Sequence, residues 1–545
     1  MRGWVIAAIP LGLTLVVLGG RDAPARNPLP KQARENADLT GTIDGHFRER
    51  WAAAGVAPSP VVDDLAFMRR LWLDLLGTVP SLEEIRALDQ VPAPERRGWL
   101  IDRALTDPRF AEHFGEHLAR IVVGEDRRED DLLYRRRRLV QWIGAELKRN
   151  RPWDAMVREL ITAEGLSTDT PATNFVVSQE RDPIRLAARS TRAFLGVRID
   201  CAQCHDHPFT DWTQDEFQSL AAFWARLEPE PPLVRDRKQG ELRVDGNNTP
   251  QPLDEDSEEA MMANPEDGGL RVVVAQVPYG QGYLPEGKRR RVAYAEWVTH
   301  PQNEYFSKAI VNRVWSWLLG HGFVEPVDDL DLTAPHPDDA PLLAALCDDF
   351  VQNGYQLKRL IRAIVSSEVY RLGSAVAEDA DEEAQTAVWA TYALKQLRPR
   401  ALGASMFQAT SFWTHDRSRA QLVRLARWGG MNDFLKAHGE GKDSERVEEE
   451  NLLQRLHLFN GKQFHENTKT DSPFTVVTRI PALAADSREA LDALFLMTLT
   501  RHPSEEELEL FLADLDAAGN NRQRAEVLAD TAWILVNSTE FAWNH

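Results

Sequence analysis

Along most of this chain the apolar residues recur every three or four positions, and that spacing predicts helices. Leu65, Met68, Leu71, Trp72 and Leu75 mark one face over 64–76, and Gly77 follows where a left-handed residue ends a helix. Ser81 and Glu84 have the spacing of a capping box that opens the next helix. The same period predicts helices over 96–105, 109–123, 132–148, 153–162 and 183–195. It returns over 303–319, 340–353, 357–367, 382–397, 399–410, 447–459, 488–500, 504–515 and 522–537. Thr213 and Glu216 cap a further helix, with Phe217, Leu220, Ala221, Trp224 and Leu227 on one face.

Two stretches break the pattern. Residues 26–40 are polar and Pro-bearing, which reads as a linker. Residues 228–291 are rich in Pro, Gly and charge, with one β-like run at 270–277, which reads as a loop-rich connector with room for a short β-hairpin. No short repeat is visible, so a solenoid is not supported. The fold class expected is all-α: a helical domain at 41–227, a connector at 228–291 and a helical C-terminal domain at 292–545.

Length agrees with that division, because 545 residues exceed what one hydrophobic core usually supports. A formal net charge of -20 argues against general binding to nucleic acid or an anionic membrane surface. At the N-terminus, Met1-Arg2 precedes an apolar run over 4–18 and the small-residue site Ala23-Pro24-Ala25. This is the shape of a secretory signal over 1–25, and it places the mature protein in the periplasm, the cell envelope or the medium. The rival is a retained anchor, against which stand the shortness of the run and Pro10. No later apolar stretch is long enough to span a bilayer, so no membrane span is expected after signal cleavage.

Of three cysteines, Cys347 falls in a helical apolar pattern and reads as a small core residue. The other two belong to Cys201-Ala202-Gln203-Cys204-His205, the attachment spacing of c-type haem. Two thiols three residues apart reach the two vinyl groups of one porphyrin, and the adjacent His205 becomes the proximal iron ligand. His117 or Met156 is the candidate for the far face, and Phe209, Trp212 and Phe223 could wall the macrocycle. Three rival readings stay open. Cys201 and Cys204 could form a disulfide. A zinc or iron ion could use Cys201, Cys204, His205 and His207, with His113 and His117 as a second pair at i, i+4. His207-Pro208 could simply cap a turn.

No G-x-S-x-G, P-loop or dinucleotide fingerprint gives support to hydrolase or nucleotide chemistry. The carboxylates of Glu325, Asp328, Asp329 and Asp331 read more readily as a turn than as a cation site. Phe306, Ile310, Arg313 and Trp317 share one helical stripe, so Arg313 is expected to face inward and to pair with Asp328 or Asp329.

Phe194-Leu195-Gly196-Val197, the run Cys201 to Phe209, Arg69-Arg70-Leu71-Trp72-Leu73-Asp74-Leu75-Leu76-Gly77 with Pro80, and Leu220-Ala221-Ala222-Phe223-Trp224 together resemble the planctomycete cytochrome-like domain of unknown function, family 1549. Its usual companion, family 1553, resembles the second half through Val311-Asn312-Arg313-Val314-Trp315, the run Gly320 to Asp329 and the ending Asn537-Ser538-Thr539-Glu540-Phe541. The resemblance implies exported helical proteins, and its cytochrome label rests on the same Cys-x-x-Cys-His. The chain departs from the pattern around His117, where Gly115-Glu116-His117 precedes Leu118-Ala119-Arg120, and again near Gly439-Glu440-Gly441. The function expected is that of a c-type haem protein in electron transfer or a related redox step with an envelope partner. The alternative is a non-catalytic helical scaffold binding a partner protein or envelope polymer, with the Cys/His motif as a structural metal or disulfide turn. Whether it is an enzyme is left open.

Overall fold

The computed structural model describes residues 32–124, 134, 136–229, 232–244, 250–253, 271–376, 381–414, 434–435, 468–470 and 475–545. The expected signal at 1–25, the helix at 447–459 and the atypical segment at 439–441 lie outside them. The fold is all-α, with only short antiparallel strand pairs.

Local chemistry sets most helix ends. Asp63 accepts from the Ala66 amide to open Asp64–Leu76, and Gly77 closes that helix at φ 66°. The Ser81–Glu84 capping box opens Leu82–Asp89 as predicted. Asp107 caps Pro108–Val123, with proline in the first turn, where its missing N–H costs nothing. That helix crosses Arg136–Lys148 at close range, because a side chain on Gly144 would put its Cβ 2.8 Å from the Ala111 carbonyl oxygen.

Two elements differ from the periodic reading. Helix Gln32–Ala54 begins inside the stretch expected to be a linker. Its Leu39, Ile43, Phe47 and Trp51 recur every four residues and are buried, so tertiary packing outweighs the polar composition before them. Phe47 stacks on Trp315 at 6.0 Å, and the helix packs against Ala340–Gln352 and Leu357–Ser366.

The helix expected over 382–397 stops at Ala387. Trp389 turns into the left-handed region at φ 59°, which buries its ring against Phe47, Trp315 and His321. The chain then becomes the strand Lys395–Gln396, paired antiparallel with Trp543–Asn544. Burial of one indole and one tyrosine, Tyr392, outweighs ten more residues of helix propensity.

Between the halves, Leu233–Val234 pairs with Gly165–Leu166, and Glu241–Val244 is central between Pro250–Leu253 and Arg271–Val273. The β-like run at 270–277 supplies that last strand. One apolar core runs through both halves, with Trp72, Trp153, Trp224, Trp297 and Trp315 wholly inside it.

Candidate functional site

The Cys-x-x-Cys-His motif lies on the outside of the molecule. Asp200–Gln203 forms a 3-10 turn, and Cys201 and Cys204 are free, exposed thiols. His205 is exposed, with Nδ1 2.7 Å from the Asp206 carbonyl oxygen. His207 accepts at Nδ1 from the amides of Phe209 (3.3 Å) and Thr210 (3.2 Å), so its ring caps the turn that leads to Pro208. The Thr213–Glu216 capping box then opens Gln214–Ala221.

The thiols and imidazole have the local chemistry of haem attachment, but the described residues around them build no porphyrin wall. Phe209 is 78% exposed, whereas Trp212 and Phe223 belong to the core. Met156 is likewise buried in the core. Among the described residues no three His, Cys, Asp or Glu side chains gather into one group, here or elsewhere. Cys347 is buried in the second half, which pushes its thiol up to about 12.

The loop rests on an acidic segment of the second half. Arg198 makes a two-pronged contact with Asp328 (2.7 and 2.8 Å), and Arg192 Nε donates to the same carboxylate at 2.7 Å. Burial raises the Asp328 pKa, but Arg192, Arg198 and Arg313 outweigh it and hold the carboxyl below its ordinary range. Trp212 and Tyr305 donate to the two oxygens of Asp331 at 2.8 and 2.7 Å. Arg313 does face inward. It donates to the carbonyls of Arg192 (2.6 Å), Ala193 (3.2 Å) and Ala309 (3.4 Å), and its charge also reaches Asp328.

A different place gathers the titratable groups. A cavity of 720 Å³ lies between the two halves, within the range of small-molecule sites. His113 and His117 reach it from Pro108–Val123, one turn apart, with their Nε2 atoms separated by 3.2 Å. The backbone of Asp74 acts on the His113 ring in the direction that favours its protonated form, against the effect of burial. The ring can approach because residue 77 is glycine, where an added Cβ would lie 2.3 Å from Nδ1.

The Asp74 carboxylate accepts from Lys395 (2.6 Å), Asn544 (2.7 Å), Tyr370 (2.8 Å) and Tyr392 (3.1 Å). Lys395 uses its remaining protons on the carbonyls of Trp317 (2.9 Å) and Leu318 (2.8 Å), at the C-terminal end of Glu304–Leu319. That is where a helix dipole favours a cation. Asn544 is 1% exposed, and its Oδ1 has no hydrogen-bond partner among the described residues.

Electrostatics keeps the imidazoles neutral. Burial takes His113 down to about 4, with Arg398 and Arg400 adding to the effect against Glu116. Burial, His113, Arg398, Arg120 and Lys395 together hold His117 well below its ordinary value. Glu116 turns to the arginines: burial raises its pKa, but Arg400, Arg136 and Arg120 bring it to about 2.

The metal reading that joined His113 and His117 to Cys201, Cys204, His205 and His207 is therefore not what the fold assembles. The histidine pair lines the cavity, and the motif residues do not. Sequence reasoning missed Asp74, Lys395 and Asn544. A lone acid inside the apolar run Leu71-Trp72-Leu73-Asp74-Leu75-Leu76 was the available signal, since an acid there needs partners. Residues 42–228 match PSCyt2, a protein of unknown function (DUF1549), and residues 290–421 match PSD1, a protein of unknown function (DUF1553). No curated protein and no solved structure matches the chain.

Proposed function

Because residues 42–228 belong to the PSCyt2 family and residues 290–421 to the PSD1 family, we propose that the chain is an exported envelope protein whose working site is the cavity closed between these segments. Its ligand is a small molecule carrying an oxyanion. The observation that carries this reading is convergence: His113, His117 and Asp74 from the first segment meet Trp317, Lys395 and Arg398 from the second around one space. Neutral imidazoles in a cavity that Arg398 also lines suit a carboxylate or phosphate, while Trp317 and Phe114 offer apolar faces for its body. Export rests on the pattern of residues 1–25.

A thermal-shift screen of small carboxylates, phosphates and sugar acids tests the reading. Ligand at about 100 times its Kd adds about 2.7 kcal/mol to stability. The response should vanish in Ala401→Trp, which fills the cavity. No response in the wild-type chain, or an equal one in the variant, rejects the cavity as the site.

A second reading keeps the motif as a covalent haem site in an electron-transfer protein with a redox or envelope partner. Two free, solvent-facing thiols next to an imidazole favour it. Cys201 and Cys204 would carry the thioethers and His205 the iron, and the group would supply one-electron redox chemistry. Mass spectrometry of denatured mature chain from a haem-attaching host decides. A bare polypeptide mass leaves the loop as a structural turn.

A further inference from the structure

We propose that His113 and His117 hold one divalent transition ion of the imidazole-preferring class, zinc or its surrogates, with the ion's other positions open to the cavity. This deepens the cavity reading and rests on it for the open face. The geometry is already that of a chelate. A zinc–nitrogen bond of about 2.0–2.1 Å in a tetrahedral site separates two ligand nitrogens by about 3.3–3.4 Å. The two Nε2 atoms stand at 3.2 Å.

The supporting shell also fits. A ligating histidine usually donates its second ring N–H to a carbonyl or carboxylate, which fixes the ring and leaves the other nitrogen as a lone-pair donor. The Asp74 backbone acts on His113 in the direction such an acceptor would. His117 packs beside Trp317, ring centroids 4.9 Å apart. Asn544, anchored through its amide nitrogen on the Asp74 carboxylate, is a further residue of the cavity wall. The separation that lets the two imidazoles share a hydrogen bond also suits two ligands of one ion.

Among the described residues no third His, Cys, Asp or Glu completes the pair, so the site is open rather than structural. Two neutral imidazoles leave the ion's charge uncompensated, and the charges acting on His117 are those of Arg398, Arg120 and Lys395. Asp74, Glu325 and Asp328 line the same cavity. An anion on the ion's open face agrees with an oxyanion-bearing ligand. The spacing His113-x-x-Glu116-His117 is also that of the H-x-x-E-H zinc peptidases. Glu116 cannot serve as their general base, because Arg136 holds it at 2.5 Å with Arg400 and Arg120 nearby. The inference is metal binding, not proteolysis.

The test uses the full chain in a Cys201→Ser/Cys204→Ser background, stripped with chelator and titrated with Co(II) in acetate buffer. One Co(II) per chain with visible ligand-field absorption is expected, and at least a tenfold loss of affinity in His117→Gln. Pulsed electron paramagnetic resonance of the Cu(II)-loaded chain should count two imidazole ligands, a reading that needs no histidine variant. Absence of saturable cobalt, unchanged binding in His117→Gln, or fewer than two imidazoles on Cu(II) overturns the proposal. Cobalt binding without any ligand response in the thermal screen would uphold the metal site and reject the oxyanion ligand. The reverse result would keep the cavity and discard the ion.

Discussion

Replacing Asp74 with Asn keeps the shape of the side chain and removes its charge. In the wild-type protein that carboxylate is 6% exposed and serves one ammonium, one amide and two phenols. Losing one partner of a buried ion pair costs about 3–5 kcal/mol, because the other charge stays buried without compensation. Lys395 would retain the two helix-end carbonyls, which places the expected loss near the lower end, about 3 kcal/mol. An unfolding entropy of about 2.1 cal/mol/K per residue over the chain makes that a fall of about 3 °C in Tm. Lys395→Met alone should cost a similar amount, since it strands the carboxylate. The double variant Asp74→Asn/Lys395→Met should recover part of the loss, giving a coupling energy of about 1–3 kcal/mol. Calorimetry on the four proteins measures it. Strict additivity, or an Asp74→Asn shift below 1 °C, would refute the pair as a structural centre of the cavity wall.

Other expectations follow from separate contacts. Gly77→Ala must place a side chain at φ 66° and 2.3 Å from the His113 ring, so it should cost about 1–3 kcal/mol and weaken Co(II) binding. Urea unfolding and the cobalt titration read the two effects. Arg501 joins Glu507 (2.7 and 2.8 Å) to Glu540 (2.7 and 2.8 Å), and its hydrogen bonds, assisted by the Ser504 cap, take the Glu507 carboxyl to about 2. The unfolded chain binds that proton near pH 4.5, so this contribution is full above pH 4.5 and is lost as pH falls towards 2. Arg501→Met should flatten the fall in urea stability between pH 5 and pH 3; a parallel curve would disprove the assignment. Gly144→Ala, with its Cβ 2.8 Å from a backbone oxygen, should lower the urea midpoint by forcing two helices apart.

Local chemistry was readable wherever it acts alone. The Gly77 stop, the Ser81–Glu84 box and the Thr213–Glu216 box all lie within one helical turn, and each forms where its spacing predicts. The Cys-x-x-Cys-His run was equally visible, but spacing along the chain says nothing about what faces it. The first turns of helix Gln32–Ala54, up to residue 40, and the strand at Lys395–Gln396 were misread because their reasons lie elsewhere: the helix packs on helices more than 280 residues away, and the strand on Trp543–Asn544. The cavity is the extreme case. His113 and His117 could be paired from their period, yet Asp74 finds its partners at sequence separations of 296, 318, 321 and 470.

Those separations have a consequence for when the site comes into being. Every group that fixes Asp74 must cross several hundred residues of chain to reach it, and such closures come late and slowly compared with the formation of any helix. The helix carrying His113 and His117 can form early, with nothing opposite it. While the chain is still unfolded, it holds neither the cavity nor whatever fills it. Loading would then have to follow assembly of the whole chain. A fragment limited to residues 42–228 would keep both histidines and Asp74 while lacking Trp317, Lys395 and Asn544. Separated from its second half, it would be a set of helices with half a wall.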